Sequence, residues 1–266
     1  MNKHLILTNG RSGSNYLVTL LNSHPQITNY GEVLGNWTLP YKINNNIRFG
    51  NPWFNDYQNY LDYIYSSQFF FYSSQLYSVY ARIKKRQSTN FKLYSKIKSI
   101  GIKDFSINFD RRKITNYLQN NEDILIINLY RKNSLKRLVS LQAMHNTGVI
   151  ASTKQDKNQN LKIYLSPEQI IHQMQTFEQE KKEQFAMIES IPESRLMNIS
   201  YEEYFADTKL QNNINQEILN FLKVDNINLE GKHKKILSSS LADLLENYDE
   251  IYEILSDTEY AKYLNT

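Results

Sequence analysis

The residues best suited to chemistry gather first in one short run, Gly10-Arg11-Ser12-Gly13-Ser14-Asn15, set between an apolar stretch and an amphipathic one. Glycine permits positive φ and lets the backbone approach a ligand closely. Ser12, Ser14 and Asn15 add side-chain donors where a helix begins, and there the macrodipole favours negative charge. Arg11 contributes a planar fork whose donors match a tetrahedral oxyanion. Such a run reads as a cradle for a phosphate or sulfate group. It does not satisfy the P-loop formula G-x-x-x-x-G-K-[ST], because an arginine leads the turn and no lysine closes it. A glycine turn with a plain Ser or Asn helix cap is the structural alternative.

A second polar constellation lies in "LIINLYRKNSLKRLVSLQA". A helix over 133–145 puts Leu135, Leu138 and Val139 on a buried stripe, while Asn133, Arg137 and Ser140 share another face at i, i+4 and i+7. The absence of cysteine excludes disulfides, thiolate metal sites and thiol nucleophiles, and fits a reducing compartment. The five histidines are scattered and no carboxylate or histidine cluster has ligand spacing, so no metal is expected.

These groups need elements to hold them. "HLILT" reads as a buried strand, followed by a helix over 14–23 with Leu17, Leu20 and Leu21 on one face. His24-Pro25 ends it, since proline disfavours helix in the residue before it. The segment 54–80, crowded with Tyr and Phe, reads as helix; its rings are either core or a surface on which an acceptor stacks. Segment 99–105 reads as a strand, 110–119 as a helix, and 123–130 as a strand covered on both faces, being almost continuously apolar. A long helix is expected from Pro167 to about Ser190, with Ser166 as N-cap and the proline at N1. Segment 194–200 reads as a strand and the chain from Glu217 onward as helical.

Strands alternating with helices predict an α/β fold, a P-loop-type parallel β-sheet flanked by helices, with ligand at the carboxyl ends of its strands. With no repeat, low-complexity tract or linker, 1–266 reads as a single domain. The formal net charge of +4 suits an anionic small molecule and is too weak and scattered to argue for nucleic acid. No apolar run approaches the ~20 residues that span a bilayer. The first strand begins by residue 4, which leaves no room for a signal peptide, so a cytoplasmic location is expected.

The segment "RSGSNYLVTLLNSHPQITNYGEVL" resembles the 5′-phosphosulfate loop of sulfotransferases that use PAPS (3′-phosphoadenosine 5′-phosphosulfate). In much of that family the run is P-R-S-G-T-T/S, a helix, H-P and then G-E; Asn9-Gly10 stands here ahead of the arginine. "LIINLYRKNSLKRLVSLQA" is similar to the family's 3′-phosphate site, a strand delivering an arginine and a helix delivering a serine. Arg131 and Ser140 fill those places, nine residues apart where animal cytosolic members have eight. "ISYEEYFAD" followed by "ILNFLKV" is similar to the family's Y-E-D-L segment and later F-L, and "LENYDEIYEIL" recurs in bacterial members.

The resemblance implies a three-layer sulfotransferase-like fold and PAPS as donor. It places Arg11, Ser12, Gly13, Ser14 and Asn15 at the phosphosulfate, Arg131 and Ser140 at the 3′-phosphate, and Tyr201 beside the nucleotide. The basic cluster "GKHKK" (231–235) would close over that phosphate. Glu32 takes the place of the catalytic base, with His24 as rival, and Arg11 and Lys103 stabilise charge on the departing phosphate. The acceptor is a hydroxyl, expected on a saccharide or glycolipid head group, with a protein tyrosine as alternative. Readings from another class are a P-loop kinase and a non-catalytic nucleotide-binding protein. The kinase predicts a lysine at the helix start and a Walker-B-like aspartate at a strand end, and the sequence is read as having neither.

Overall fold

The structure is a computed structural model that describes residues 1–47, 56–84, 86, 89–148, 162–229 and 240–264. Five strands form one wholly parallel sheet: β1 (Asn2–Thr8), β2 (Ile27–Asn29), β3 (Ser99–Phe105), β4 (Ile124–Tyr130) and β5 (Leu196–Ser200), in the order β2-β3-β1-β4-β5. Helices cover both faces, so the central strands need apolar side chains on both sides. Leu5, Ile6 and Leu7 of β1 are all fully buried. Ile6 packs with Leu17, Leu20 and Leu21 of α1 (Ser14–Ser23). Leu5 and Leu7 join the opposite cluster with Ile100, Ile102 and Ile126.

Register brings the strand ends level. Thr8 pairs with both Phe105 and Leu129, and Tyr130 pairs with Ser200. The turns that follow β1, β3, β4 and β5 therefore emerge along one edge, the carboxyl edge, where open α/β sheets bind ligands. After β1 the chain crosses to β2, and after β3 it crosses the other way to β4. The two connections diverge between β1 and β3, which is the topological switch point.

Several elements differ from the reading of the sequence. β2 is a three-residue edge strand with no periodicity of its own; pairing with β3 creates it. The aromatic segment forms two helices, α3 (Tyr57–Ser66) and α4 (Gln68–Lys84), broken at Ser67, whose backbone is extended. Ahead of them lies α2 (Leu39–Ile47), which the sequence reading passed over. In place of one helix over 110–119 the chain makes α5 (Ser106–Arg111) and α6 (Tyr117–Asn120), separated at Lys113, which has φ 58°.

The helix expected from Pro167 begins at Ile170 as α8 (Ile170–Ala186), because residues 167–169 form a turn closed by Gln169 N–H donating to Ser166 O. Its counterpart α7 (Ser134–Thr147) matches the expectation closely. The Asn133 side chain caps it by accepting from Lys136 N–H at 2.8 Å, and Gly148 ends it in the left-handed region. Segment 194–200 opens with a 3₁₀ turn before β5. Beyond it lie α9 (Tyr201–Tyr204), α10 (Thr208–Phe221), α11 (Leu241–Leu244) and α12 (Tyr248–Ser256); residues 222–229 are not helical. Among the described residues no helix is long and apolar enough to cross a membrane.

Candidate functional site: an anion cradle at the carboxyl edge

β1 ends at Thr8, and the next five residues turn sharply into α1. Two left-handed residues make the turn, Arg11 at φ 68° and Gly13 at φ 83°. Gly13 also admits a close approach: a Cβ there would lie 2.6 Å from the Phe205 ring and 3.2 Å from the Tyr201 ring. As the N-cap of α1, Gly13 brings no side chain to satisfy the first turn. Among the described residues no acceptor faces the backbone N–H groups of Ser12, Gly13, Ser14 and Asn15. Four successive donors at a helix start make a concave electropositive surface.

The loop is held from behind. Asn9 donates to Gln184 Oε1 of α8 at 2.8 Å and accepts from Ser106 Oγ of α5 at 2.9 Å. The Ser12 hydroxyl donates to Asn9 O at 2.7 Å and also meets Thr8 Oγ1, so it works inside the loop. Arg137 of α7 donates from Nε to Gly10 O at 2.8 Å, while its guanidinium pairs with Glu180 and lies over the Phe177 ring. Ser14 is buried and Asn15 exposed.

The second motif comes to the same place. Arg131 follows β4 directly, and Ser140 lies two turns into α7. Arg11 donates from Nε to Ser140 Oγ at 3.1 Å and from Nη1 to Met144 Sδ at 3.6 Å, so its guanidinium rests on α7. Arg131 donates from Nη1 to Arg11 O at 3.3 Å, and its guanidinium stacks 4.4 Å from the Tyr201 ring centre. Its Nε is buried without a hydrogen-bond partner among the described residues, and the paired carboxylate, Glu202 Oε1, stands 3.9 Å away. Burial lowers the proton affinity of both arginines, and for Arg11 the nearby Arg131 charge lowers it further. Two guanidinium groups held this close favour the arrival of an anion.

Glu32 and Lys103 meet beside this cradle. Lys103, on β3, is almost fully buried, and its Nζ forms an ion pair with Glu32 Oε1. Trp37 Nε1 donates to the other oxygen, Glu32 Oε2, at 2.6 Å. The segment carrying Glu32 is fixed by Asp104, the next residue of β3. Asp104 Oδ2 accepts from Val33 N–H and Leu34 N–H at 2.9 and 2.8 Å, and Oδ1 accepts from Phe105 N–H and Asn108 Nδ2 at 2.9 and 2.6 Å. Burial raises its pKa, and those four donors act against the rise.

Asp104 corrects one reading. An aspartate does stand near the carboxyl end of β3, where a Walker-B residue would be sought, yet both of its oxygens are engaged in holding residues 33–34 and α5. His24, the rival base, is also engaged: Nε2 donates to Asp225 O at 2.8 Å and Nδ1 accepts from Gln26 N–H at 3.0 Å. The basic cluster 231–235 lies outside the described residues.

Tyr201 opens α9 after β5, stacked between Arg131 and Phe205. Burial raises its pKa, and the Arg131 charge opposes that rise. The sequence reading named no role for Arg137, Glu202 or Asp104. Arg137 shares the polar face of Ser140 at i, i+3, and that was the one signal within reach.

No family model matches the sequence, and no curated protein matches it. Similar solved structures include a sulfotransferase from Alicyclobacillus acidocaldarius, at 13% identity and a TM-score of 0.43, covering 90% of this chain and 87% of that one. The sulfotransferase domain from the curacin biosynthetic pathway has 13% identity and a TM-score of 0.44, covering 90% of this chain and 80% of that one. The sulfotransferase domain of the Synechococcus PCC 7002 olefin synthase has 15% identity and a TM-score of 0.40, with 85% and 74% covered.

Proposed function

We propose that the protein, as a single domain over 1–266, is a PAPS-dependent sulfotransferase that moves a sulfuryl group to an acceptor hydroxyl. One observation carries the reading: four loop amides and the Nε of Arg131, none with a hydrogen-bond partner among the described residues, lie on turns from the same sheet edge. That set fits a ligand anionic at two ends. The amides of residues 12–15 would hold the 5′-phosphosulfate, and Arg131 with Ser140 the 3′-phosphate. Arg11 joins the two, its main chain in the loop and its guanidinium on α7. The resemblance of both segments to the family's two phosphate-binding runs supports the same assignment.

PAPS supplies the activated sulfuryl group, which carries less negative charge than a transferring phosphoryl, so fixed cations and amides suffice to balance it. In the transfer a new S–O bond forms to the acceptor oxygen. The S–O bond to the 5′-phosphate breaks, and the acceptor's proton goes to Glu32. The Glu32 carboxylate is oriented for that task by Trp37 and Lys103. Lys103 Nζ, beside it, would stabilise charge on the departing phosphate oxygen. The saccharide or glycolipid acceptor and the cytoplasmic location inferred from the sequence belong to this proposal.

Thermal shift tests the donor. Adenosine 3′,5′-bisphosphate should raise the melting temperature more than ATP with Mg²⁺ does, and label should pass from [³⁵S]PAPS to an alcohol. Stronger stabilisation by ATP with Mg²⁺ would overturn the reading in favour of a kinase.

A further inference from the structure

A cavity of about 670 Å³ opens along the outer edge of β2, between that strand, α1, α2, α3 and α4. This is the size range of small-molecule sites. It reaches Gly31, the residue bonded to Glu32, whose carbonyl accepts from Lys103 N–H at 3.0 Å. It also reaches Lys92, whose Nζ binds Ile27 O at the start of β2. The span from residue 27 to 31 is about 13 Å at strand rise.

The wall is apolar and aromatic, with Leu39, Ile43, Tyr60, Tyr63, Phe69 and Phe70 among its residues. Phe69, Leu39 and Ile43 are 76%, 42% and 49% exposed, an unusual concentration of large apolar side chains at one mouth. Polar residues, among them Asn22, Gln75, Arg82, Asn90 and Lys92, interrupt that wall. Thr28 of β2 and Tyr30, the residue after that strand, line the cavity on the side that leads to Glu32.

We propose that the acceptor is an amphiphilic alcohol. Its apolar body fills this cavity, and its hydroxyl-bearing end lies at Tyr30–Gly31, next in the chain to Glu32. The proposal rests on the sulfotransferase reading and narrows it: a free sugar would leave the aromatic wall uncovered, whereas an alkyl glycoside or lipid alcohol covers it. Elongation of the apolar body should therefore strengthen binding until the cavity is full.

The test uses 1-alkyl β-D-glucosides from methyl to decyl, below their micelle concentrations, with labelled PAPS. kcat/KM should rise roughly 3- to 4-fold per methylene over the first part of the series. Ala81→Trp and Ser78→Trp, which place bulk on the wall from α4, should lower kcat/KM for decyl glucoside at least 10-fold. They should leave methyl glucoside and the affinity for adenosine 3′,5′-bisphosphate unchanged. A flat series with turnover intact, or equal loss on both glucosides, overturns the proposal and leaves the sulfotransferase reading standing. Calorimetry with decyl and methyl glucoside decides the cavity apart from catalysis. Binding of decyl alone supports an amphiphile site even if the bisphosphate fails to bind, and binding of neither removes it.

Discussion

Arg11 donates from Nε to Ser140 Oγ at 3.1 Å, joining two residues 129 positions apart. The first belongs to the glycine turn after β1 and the second to the helix after β4, so the contact links the two runs singled out in the sequence. Arg131 completes the link by donating to the Arg11 carbonyl. A dianion placed here would exchange guanidinium bonds to neutral oxygens for bonds in which donor and acceptor are both charged.

Arg131→Ala should weaken binding of adenosine 3′,5′-bisphosphate by ~30-fold or more, the cost of removing one buried charged partner. Ser140→Ala, which leaves the arginines in place, should cost ~10-fold. Affinity for adenosine 5′-phosphosulfate, which lacks the 3′-phosphate, should change little in Ser140→Ala. Calorimetry on both nucleotides checks this, and equal losses for the two would detach Ser140 from the 3′ end.

Glu32→Gln keeps the shape of the side chain and removes its capacity to take a proton. Turnover should fall by roughly 10²–10⁴, the usual contribution of a general base. Binding of adenosine 3′,5′-bisphosphate should stay within about 3-fold of wild type. Single-turnover transfer of labelled sulfate gives the rate, and an unchanged rate would remove Glu32 from the mechanism.

His4 and Gly101 stand opposite each other in the β1–β3 ladder. A Cβ on Gly101 would lie 2.2 Å from His4 Nε2. The histidine ring is fully buried, so it has nowhere to retreat. Gly101→Ala should cost about 1–3 kcal/mol as an overpacking change, lowering Tm by roughly 3–10 °C. Adding His4→Ala should recover part of that loss. Chemical denaturation of both single variants and the double variant measures the coupling, and strict additivity would refute the steric account.

His4 also sets a dependence on acid. Burial holds its pKa down to about 3, and its neutral ring bonds to Ser99 Oγ at 2.8 Å while Nε2 accepts from Asn29 Nδ2 at 3.1 Å. An unfolded histidine titrates near 6.5, so between those values the unfolded chain binds the extra proton. The His4 contribution is thus complete above about pH 6.5 and is lost as pH falls toward 3, by ~1.4 kcal/mol per unit. Urea titrations at pH 7, 6 and 5 should show a shallower decline for His4→Asn than for wild type. Equal slopes would mean that His4 carries no such linkage.

Much of the scaffold was legible because it is local. A glycine that must adopt positive φ, an asparagine that caps α7 and a run of apolar residues in β4 each write their conformation into neighbouring positions. The elements that escaped lack such signals. β2 is three residues long and exists through its pairing with β3. The break between α3 and α4 falls at a serine, a residue that neither stops nor continues a helix by itself.

By itself, then, the sequence determined the glycine turn after β1, the alternation of strand and helix, and the placing of Arg131 and Ser140 on one strand end and one helix face. Tertiary structure alone decided which of these meet. It brought Arg11 onto α7, closed Glu32 against Lys103 and Trp37, and spent Asp104 on residues 33–34. It also opened the cavity beside Gly31 from side chains on four helices and a strand. The reason is physical: dihedral preference and periodicity act within a few residues, whereas ion pairs and cavities arise where segments distant in the chain are packed together.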